Sequence, residues 1–158
     1  MLVNSFRLFY WGIGVIREAL PEEAFTVTSF MKAFETVTTH VKVDPEYSGA
    51  KYKKMIEDGI AKMFILEENG KMIGGLGCVK GADLHFPRTI AVETYWYVDQ
   101  NHSGEGIKLL KHFEDWAKNN NCDAVAMVHL VDSYPDSLER LYIRRGYELV
   151  EKHYIKGV

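Results

Sequence analysis

The stretch from Thr89 to Asn120 constrains this chain more than any other. Thr89 to Val98 reads Thr-Ile-Ala-Val-Glu-Thr-Tyr-Trp-Tyr-Val, β-branched or aromatic almost throughout, which predicts the longest strand. A loop with two glycines follows, Asp99-Gln100-Asn101-His102-Ser103-Gly104-Glu105-Gly106. A helix is then expected from Gly104 to about Asn120. Ile107, Leu110, Phe113, Trp116 and Ala117 line one of its faces, and Lys108, Lys111, Glu114 and Asp115 the other. A helix start presents unpaired amides and partial positive charge, which suits phosphate. Glycines there let backbone approach a ligand without Cβ interference. The same Gly-x-Gly spacing also serves a purely structural tight turn. The dinucleotide pattern fails at Leu109, where a third glycine is needed, and no Gly-Lys-Ser/Thr run marks an ATP loop.

The elements around this junction extend the α/β reading. Gly14 to Ala19 reads as a short strand. Pro21 suits the first turn of a helix, with Glu22 and Glu23 at its positive start and an apolar face of Phe25, Phe30, Ala33, Phe34 and Val37. After a polar connection, a second helix is expected from about Ser48 to Ala61. Met63-Phe64-Ile65-Leu66 and Met72 to Val79 flank Asn69-Gly70, a strong hairpin signal. Gly74, Gly75 and Gly77 predict a bulge or a close approach in the second of these strands. Ala124 to Leu130 reads as a buried strand, Asp136 to Arg145 as a helix capped by Gly146, and Tyr147 to Ile155 as a last strand. The expected order is β-α-α-β-β-β-α-β-α-β, one mixed sheet of about six to seven strands flanked by helices.

At 158 residues the chain suits one domain over 1–158 and can bury a core without disulfides or metal. Hydrophobic residues are 47% and charged residues 26%, which excludes disordered and low-complexity classes. A net charge of −3 gives no reason to expect nucleic acid or an acidic membrane as partner. Cys78 and Cys122 lack metal or redox spacing and read as buried thiols in a reducing compartment. The six histidines show no paired metal spacing, so no metal is expected. The run from Leu8 to Ile16 is short for a membrane span and lacks a cleavage site, which reads as a cytoplasmic chain. Residues 1–12 form an apolar extension, Phe6 to Trp11 above all, fit to pack on the sheet or to make a subunit contact.

Val98, Gly104, Gly106, Ile107 and Leu110 resemble the cofactor motif of the Gcn5-related N-acetyltransferase (GNAT) superfamily. Gln100, Asn101, Ser103 and Lys108 depart from it, and Ser103 removes a usual arginine beside the pyrophosphate. A second segment, Leu141-Tyr142 with Gly146-Tyr147, is similar to the family's Leu-Tyr-x-x-x-Gly-aromatic motif. The resemblance runs from about Gly14 to Ile155.

It implies an acetyl-CoA-dependent N-acetyltransferase acting on a primary amine of a small molecule or peptide. Acetyl-CoA would lie where strands 89–98 and 124–130 part. Tyr97 and Val98 would face its pantetheine arm, and Ser103, Gly104, Glu105, Gly106, Ile107 and Lys108 its pyrophosphate. Tyr142 matches the general acid; a phenol (pKa about 10) can protonate a thiolate. Glu93, the one carboxylate in its strand, is the candidate base, and alternation would put it on one face with Tyr95 and Tyr97. His129 is a further candidate for deprotonating an amine, and His102 lies in the phosphate loop. His40, Asp44, Glu46, Tyr47, Asp132, Tyr134 and Asp136 sit in the segments that meet the acceptor in this family. Their acidity would favour a cationic acceptor. Homodimers are common in the family, so a dimer is expected. The alternative is a GNAT-fold acyl-CoA-binding or sensor module without turnover, favoured by residues 101, 103 and 108.

Overall fold

The computed structural model describes residues 14–158. The apolar segment Phe6 to Trp11, and the contacts expected of it, lie outside the described residues. Five strands form one sheet in the order 1-2-3-4-5. They are β1 (Val15–Glu18), β2 (Ala61–Glu68), β3 (Lys71–Ala82), β4 (Thr89–Val98) and β5 (Ala124–Ala126). β1 to β4 are antiparallel to their neighbours, and β4 and β5 run parallel. The helices are α1 (Ala24–Met31), α2 (Pro45–Glu57), α3 (Gly106–Asn119) and α4 (Pro135–Arg144).

Local chemistry explains most boundaries. Asn69 and Gly70, at φ 52° and 74°, close the β2–β3 hairpin. Asp44 accepts from the amides of Glu46 and Tyr47, and Pro45 takes the first helical position. α2 therefore starts at Pro45, ahead of the expected Ser48. The first helix is broken into 3-10, α and 3-10 segments between Pro21 and Thr36, where one continuous helix was expected. Gly146 ends α4 at φ 86°.

Two layers cover the sheet. On the α3 side, Phe64, Leu66, Leu76, Cys78, Leu109, Leu110 and Phe113 pack into one cluster. On the α1–α2 side, Val27, Met31, Met63, Ile65 and Tyr95 form another. Alternation along β2 sends Met63 and Ile65 to one layer and Phe64 and Leu66 to the other. Burial on both faces is why that strand reads as an unbroken apolar run.

The sheet is smaller than the expected six to seven strands. β5 ends at Ala126, short of the expected Leu130, and residues 147–158 form no strand. A strand needs a ladder partner. β-Propensity by itself is worth too little to hold an isolated strand together. Residues 147–155 find no partner among the described residues, and Leu149 is 75% exposed and Tyr154 93%. Cys78 is buried and its thiol is pushed up to about 12 by desolvation. Cys122, expected to be buried, is only half-buried.

Candidate active site

β4 organises the site, and its two edges behave differently. Toward β3 it is paired along its whole length, from Ala82–Thr89 to Gly74–Val98. The register slips between Gly77 and Cys78: Cys78 faces Glu93, Gly77 faces Tyr95, and Thr94 is the extra residue. The glycines permit this. A Cβ on Gly77 would lie 2.4 Å from Tyr95 Cε1, and one on Gly75 would lie 2.9 Å from its hydroxyl. The bulge also breaks alternation. Ala91 packs in the α3 layer while Tyr95, four residues on, packs in the α1–α2 layer. Tyr97 stays with Tyr95, its ring 5.6 Å from Phe30 and 6.0 Å from Phe34. Tyr95 and Tyr97 keep the expected shared face, and Glu93 lines, with Tyr95, the cavity walled by Met31 and Val43 of that same layer.

Toward β5, β4 is paired only from Ile90–Ala124 to Val92–Ala126. Beyond Val92 the strands part, and Glu93 is the first residue past the last pair. Its Oε2 accepts from the Val128 amide at 2.9 Å. The other pole of the same peptide region, the Val128 carbonyl, accepts from the Tyr142 hydroxyl at 3.3 Å. Glu93 and Tyr142 are thus brought together around one residue of the separated strand.

Both groups are perturbed. Glu93 is 5% exposed, and desolvation lifts its carboxyl to about 7 against the pull of the Val128 amide. Desolvation first, and the Glu93 charge second, push the Tyr142 phenol well above its usual range. It therefore keeps its proton through neutral and mildly basic pH. Its bond to Val128 is long and readily exchanged for another acceptor. Trp96 and Tyr147 flank its ring at 6.5 and 5.5 Å. The His129 ring meets it edge-on at 6.2 Å, with a buried Nε2 that has no hydrogen-bond partner.

A cavity of about 100 Å³ opens on Glu93 and Tyr142, walled by Met31, Phe34, Val43 and Leu138 among others. Next to the lining residue Ser133, Asp132 ties two loops together. That carboxylate accepts from Thr38 Oγ1 at 2.7 Å, Thr39 N at 2.8 Å and Thr39 Oγ1 at 2.9 Å. These bonds hold it down to about 2.

The glycine loop lies at the other end of the parting. Gln100–Glu105 is a 3-10 turn capped by Asp99, whose Oδ1 accepts from the Asn101 amide. A Cβ on Gly106 would be 3.3 Å from the Trp96 ring, so glycine seats α3 against β4. At Gly104 nothing lies within 4 Å of a Cβ position, leaving the loop surface open. Ser103 and Ile107 are exposed beside it, and Lys108 pairs with Glu105. His102 turns away from the loop surface, its Nε2 3.1 Å from Glu68. The open Gly104 leaves room for a phosphate at the turn, while the Gly106 amide is already bonded to the Ser103 carbonyl, and Lys108 stands in the first turn of α3. Among the described residues no group of three or more His, Cys, Asp or Glu is placed to hold a metal, and no helix is long and apolar enough to cross a membrane.

Sequence reasoning missed the Val128 peptide and the Asp132 tie. A backbone amide carries no side-chain signal, and Thr38 and Asp132 are 94 positions apart.

A mixed sheet parted at one parallel joint, with a glycine turn leading into a helix at the end of the parting, defines an α/β fold with its cleft at that joint. The acetyltransferase (GNAT) family matches residues 27–147, and the chain belongs to that family. No curated protein is similar to it in sequence. Among solved structures, a transcriptional regulator from Bacillus halodurans superposes with TM-score 0.75 at 16% identity, over 92% of this chain and all of the other. An aminoglycoside acetyltransferase from an uncultured soil sample gives 0.73 at 14% identity, covering 92% and 99%. A ribosomal-protein-alanine N-acetyltransferase from Brucella melitensis gives 0.70 at 14% identity, again covering 92% and 99%. At these identities the likeness is one of fold.

Proposed function

We propose that the chain transfers an acetyl group from acetyl-CoA to a primary amine of a small molecule or peptide. The observation that carries this is the meeting of Glu93 and Tyr142 at the Val128 peptide, inside the gap between β4 and β5. The thioester supplies an activated acyl carbon. Everything else is asked of the chain.

An amine arrives as an ammonium and must lose a proton before it can attack. A carboxyl near 7 is half ionised at neutral pH and can take that proton. The nitrogen then forms its bond to the acyl carbon, the carbon–sulfur bond breaks, and the electron pair leaves on sulfur. Tyr142 is the donor for that sulfur. A phenol pushed upward holds its proton until a strong acceptor develops, so it stabilises the departing thiolate first by hydrogen bonding. Solvent restores its proton. Backbone at Tyr97 and Val98 runs along the pantetheine arm, and amides from Ser103 to Lys108 meet the pyrophosphate.

A binding module without turnover is the second reading. It is favoured by Ser103 in the turn and by Asp99 and Glu105, whose charges oppose a pyrophosphate. Thermal denaturation with acetyl-CoA, CoA and ATP in parallel, followed by thiol release with an amine panel, tests both readings. Stabilisation by both CoA species with amine-dependent thiol release supports the enzyme. Stabilisation without release under any amine supports the binding module. No stabilisation by millimolar acetyl-CoA overturns both.

A further inference from the structure

The cavity against Glu93 has an uneven distribution of charge. Met31, Phe34, Val41, Val43, Leu130 and Leu138 make its wall apolar, and among the described residues Glu93 is the only charged one lining it. No cationic side chain lies within salt-bridge distance of Glu93 among the described residues; its one hydrogen-bond donor is the Val128 amide. A buried carboxylate without a counter-charge is costly unless a cation comes to it.

Carboxylates next in sequence to the lining residues Phe34, Val43 and Ser133 are already engaged. Asp132 takes three hydrogen bonds from Thr38 and Thr39, and His40 stands 3.8 Å from it. Asp44 caps α2. Glu35 accepts from the Val43 amide at 2.7 Å and has Lys32 and Lys42 within 4 Å. Asp132, Asp44 and Glu35 thus offer a second ammonium little uncommitted charge, and Glu35 brings two lysines with it. The outer lip is apolar as well. Val131 and Tyr134 are exposed there, and Tyr134 sits at φ 48°, an unfavourable backbone for a non-glycine residue. That conformation starts α4 at Pro135 and leaves Tyr134 exposed, next in sequence to the lining residue Ser133.

We infer that the acceptor is an apolar monoamine, an alkyl or arylalkyl primary amine with one ammonium, which enters nitrogen-first toward Glu93 and lays its body along the Leu138–Tyr134 lip. This rests on the acetyl-transfer reading above for its chemistry, though not for its binding. It also turns aside the cationic, polyamine- or aminoglycoside-like acceptor that the acidic loops suggest from sequence, because Asp44 and Asp132 among those acids are spent on structure and none of them lines the cavity.

The test uses the whole chain with saturating acetyl-CoA. Phenethylamine and hexylamine are set against spermidine and kanamycin, with thiol release as the readout. Binding of each amine is read separately by calorimetry in the presence of CoA, which permits no turnover. The expected result is a kcat/KM for the monoamines at least ~10²-fold above the polycations, since a second ammonium goes unpaired. Equal or better turnover of spermidine or kanamycin overturns the proposal. Monoamine binding without thiol release upholds the acceptor class and removes the acetyl-transfer reading instead. Absence of monoamine binding overturns the acceptor class. Leu138→Asp adds a carboxylate at the lip, and the selectivity should move toward spermidine; an unchanged ratio counts against the assignment.

Discussion

β4 is one strand with two unlike edges. Its β3 edge is hydrogen-bonded from end to end and roofed by the Tyr95 ring over two glycines. Its β5 edge is paired over three residues and then lets go. The first edge spends its polar groups on the ladder and its side chains on packing. The second leaves a carboxylate and a phenol bonded to the backbone of one residue, Val128, in an apolar gap. Stability and chemistry are thus divided across the width of a single strand, and substitutions on either side should separate the two.

The sharpest break is expected at Glu93. Glu93→Gln keeps the shape and an acceptor for the Val128 amide but removes the base, so kcat/KM should fall ~10²–10⁴-fold. Wild-type kcat/KM should rise with pH and level off above about 7, and the variant should lose that rise. Stability should move the other way. A carboxyl raised from 4.5 to about 7 binds its proton more tightly in the folded than in the unfolded chain. Its favourable contribution is complete below about 4.5 and disappears as pH climbs through 7, a loss of about 3 kcal/mol. The Tm of Glu93→Gln minus that of wild type should therefore grow between pH 5 and pH 8. A flat difference would mean that the carboxyl titrates normally and is no base.

Tyr142→Phe comes next, with kcat reduced about 10²-fold by loss of the donor to sulfur. Its hydrogen bond to Val128 is long at 3.3 Å, so denaturation should barely change. Unchanged kcat would reduce Tyr142 to a packing residue between Trp96 and Tyr147.

The paired edge should give the reverse pattern. In Gly77→Ala the new methyl meets a ring that is 3% exposed and has nowhere to go. A cost of about 1–3 kcal/mol follows from overpacking, and Tm should drop roughly 2–4 °C for each kcal/mol. Gly81→Ala in the same strand has open space around it and serves as the control. Calorimetric scans of both variants check this; equal melting would show that the Tyr95 roof is loose.

How much of this was legible beforehand follows the range of each interaction. The strand at 89–98, the Asn-Gly turn and the Gly146 cap are local, and a few neighbouring residues determine each. The strands expected at 127–130 and 147–155 depended on partners far along the chain, and composition carried no word on whether those partners would come. Glu93 stood out because a carboxylate is rare in such a strand, yet the cavity it lines is walled by α1 and the loop before α2, which one strand's own sequence does not reveal. Asp44 and Asp132 looked like acids waiting for a cation. One proved to cap a helix and the other to tie two loops, roles that a sequence shows only where donor and acceptor are close.

Asp132 supplies the smallest effect and the cleanest contrast with Glu93. One is a buried carboxylate lining the cavity with a single amide donor, the other an exposed carboxylate beside it in the fold that takes three hydrogen bonds. Asp132→Asn trades one acceptor oxygen for a donor facing either the Thr38 hydroxyl or the Thr39 amide. The tie should loosen, with faster amide exchange at Thr39 and a few-fold rise in acceptor KM, while kcat holds. Because its carboxyl is held at about 2, its contribution is complete above its ordinary range and fades only as pH falls toward 2. The effect of Asp132→Asn should therefore be constant from pH 5 to pH 9, across the window where Glu93→Gln changes most. A pH-dependent Asp132→Asn effect in that window would mean that the two carboxylates are coupled through the cavity, and the division between site and scaffold would have to be redrawn there.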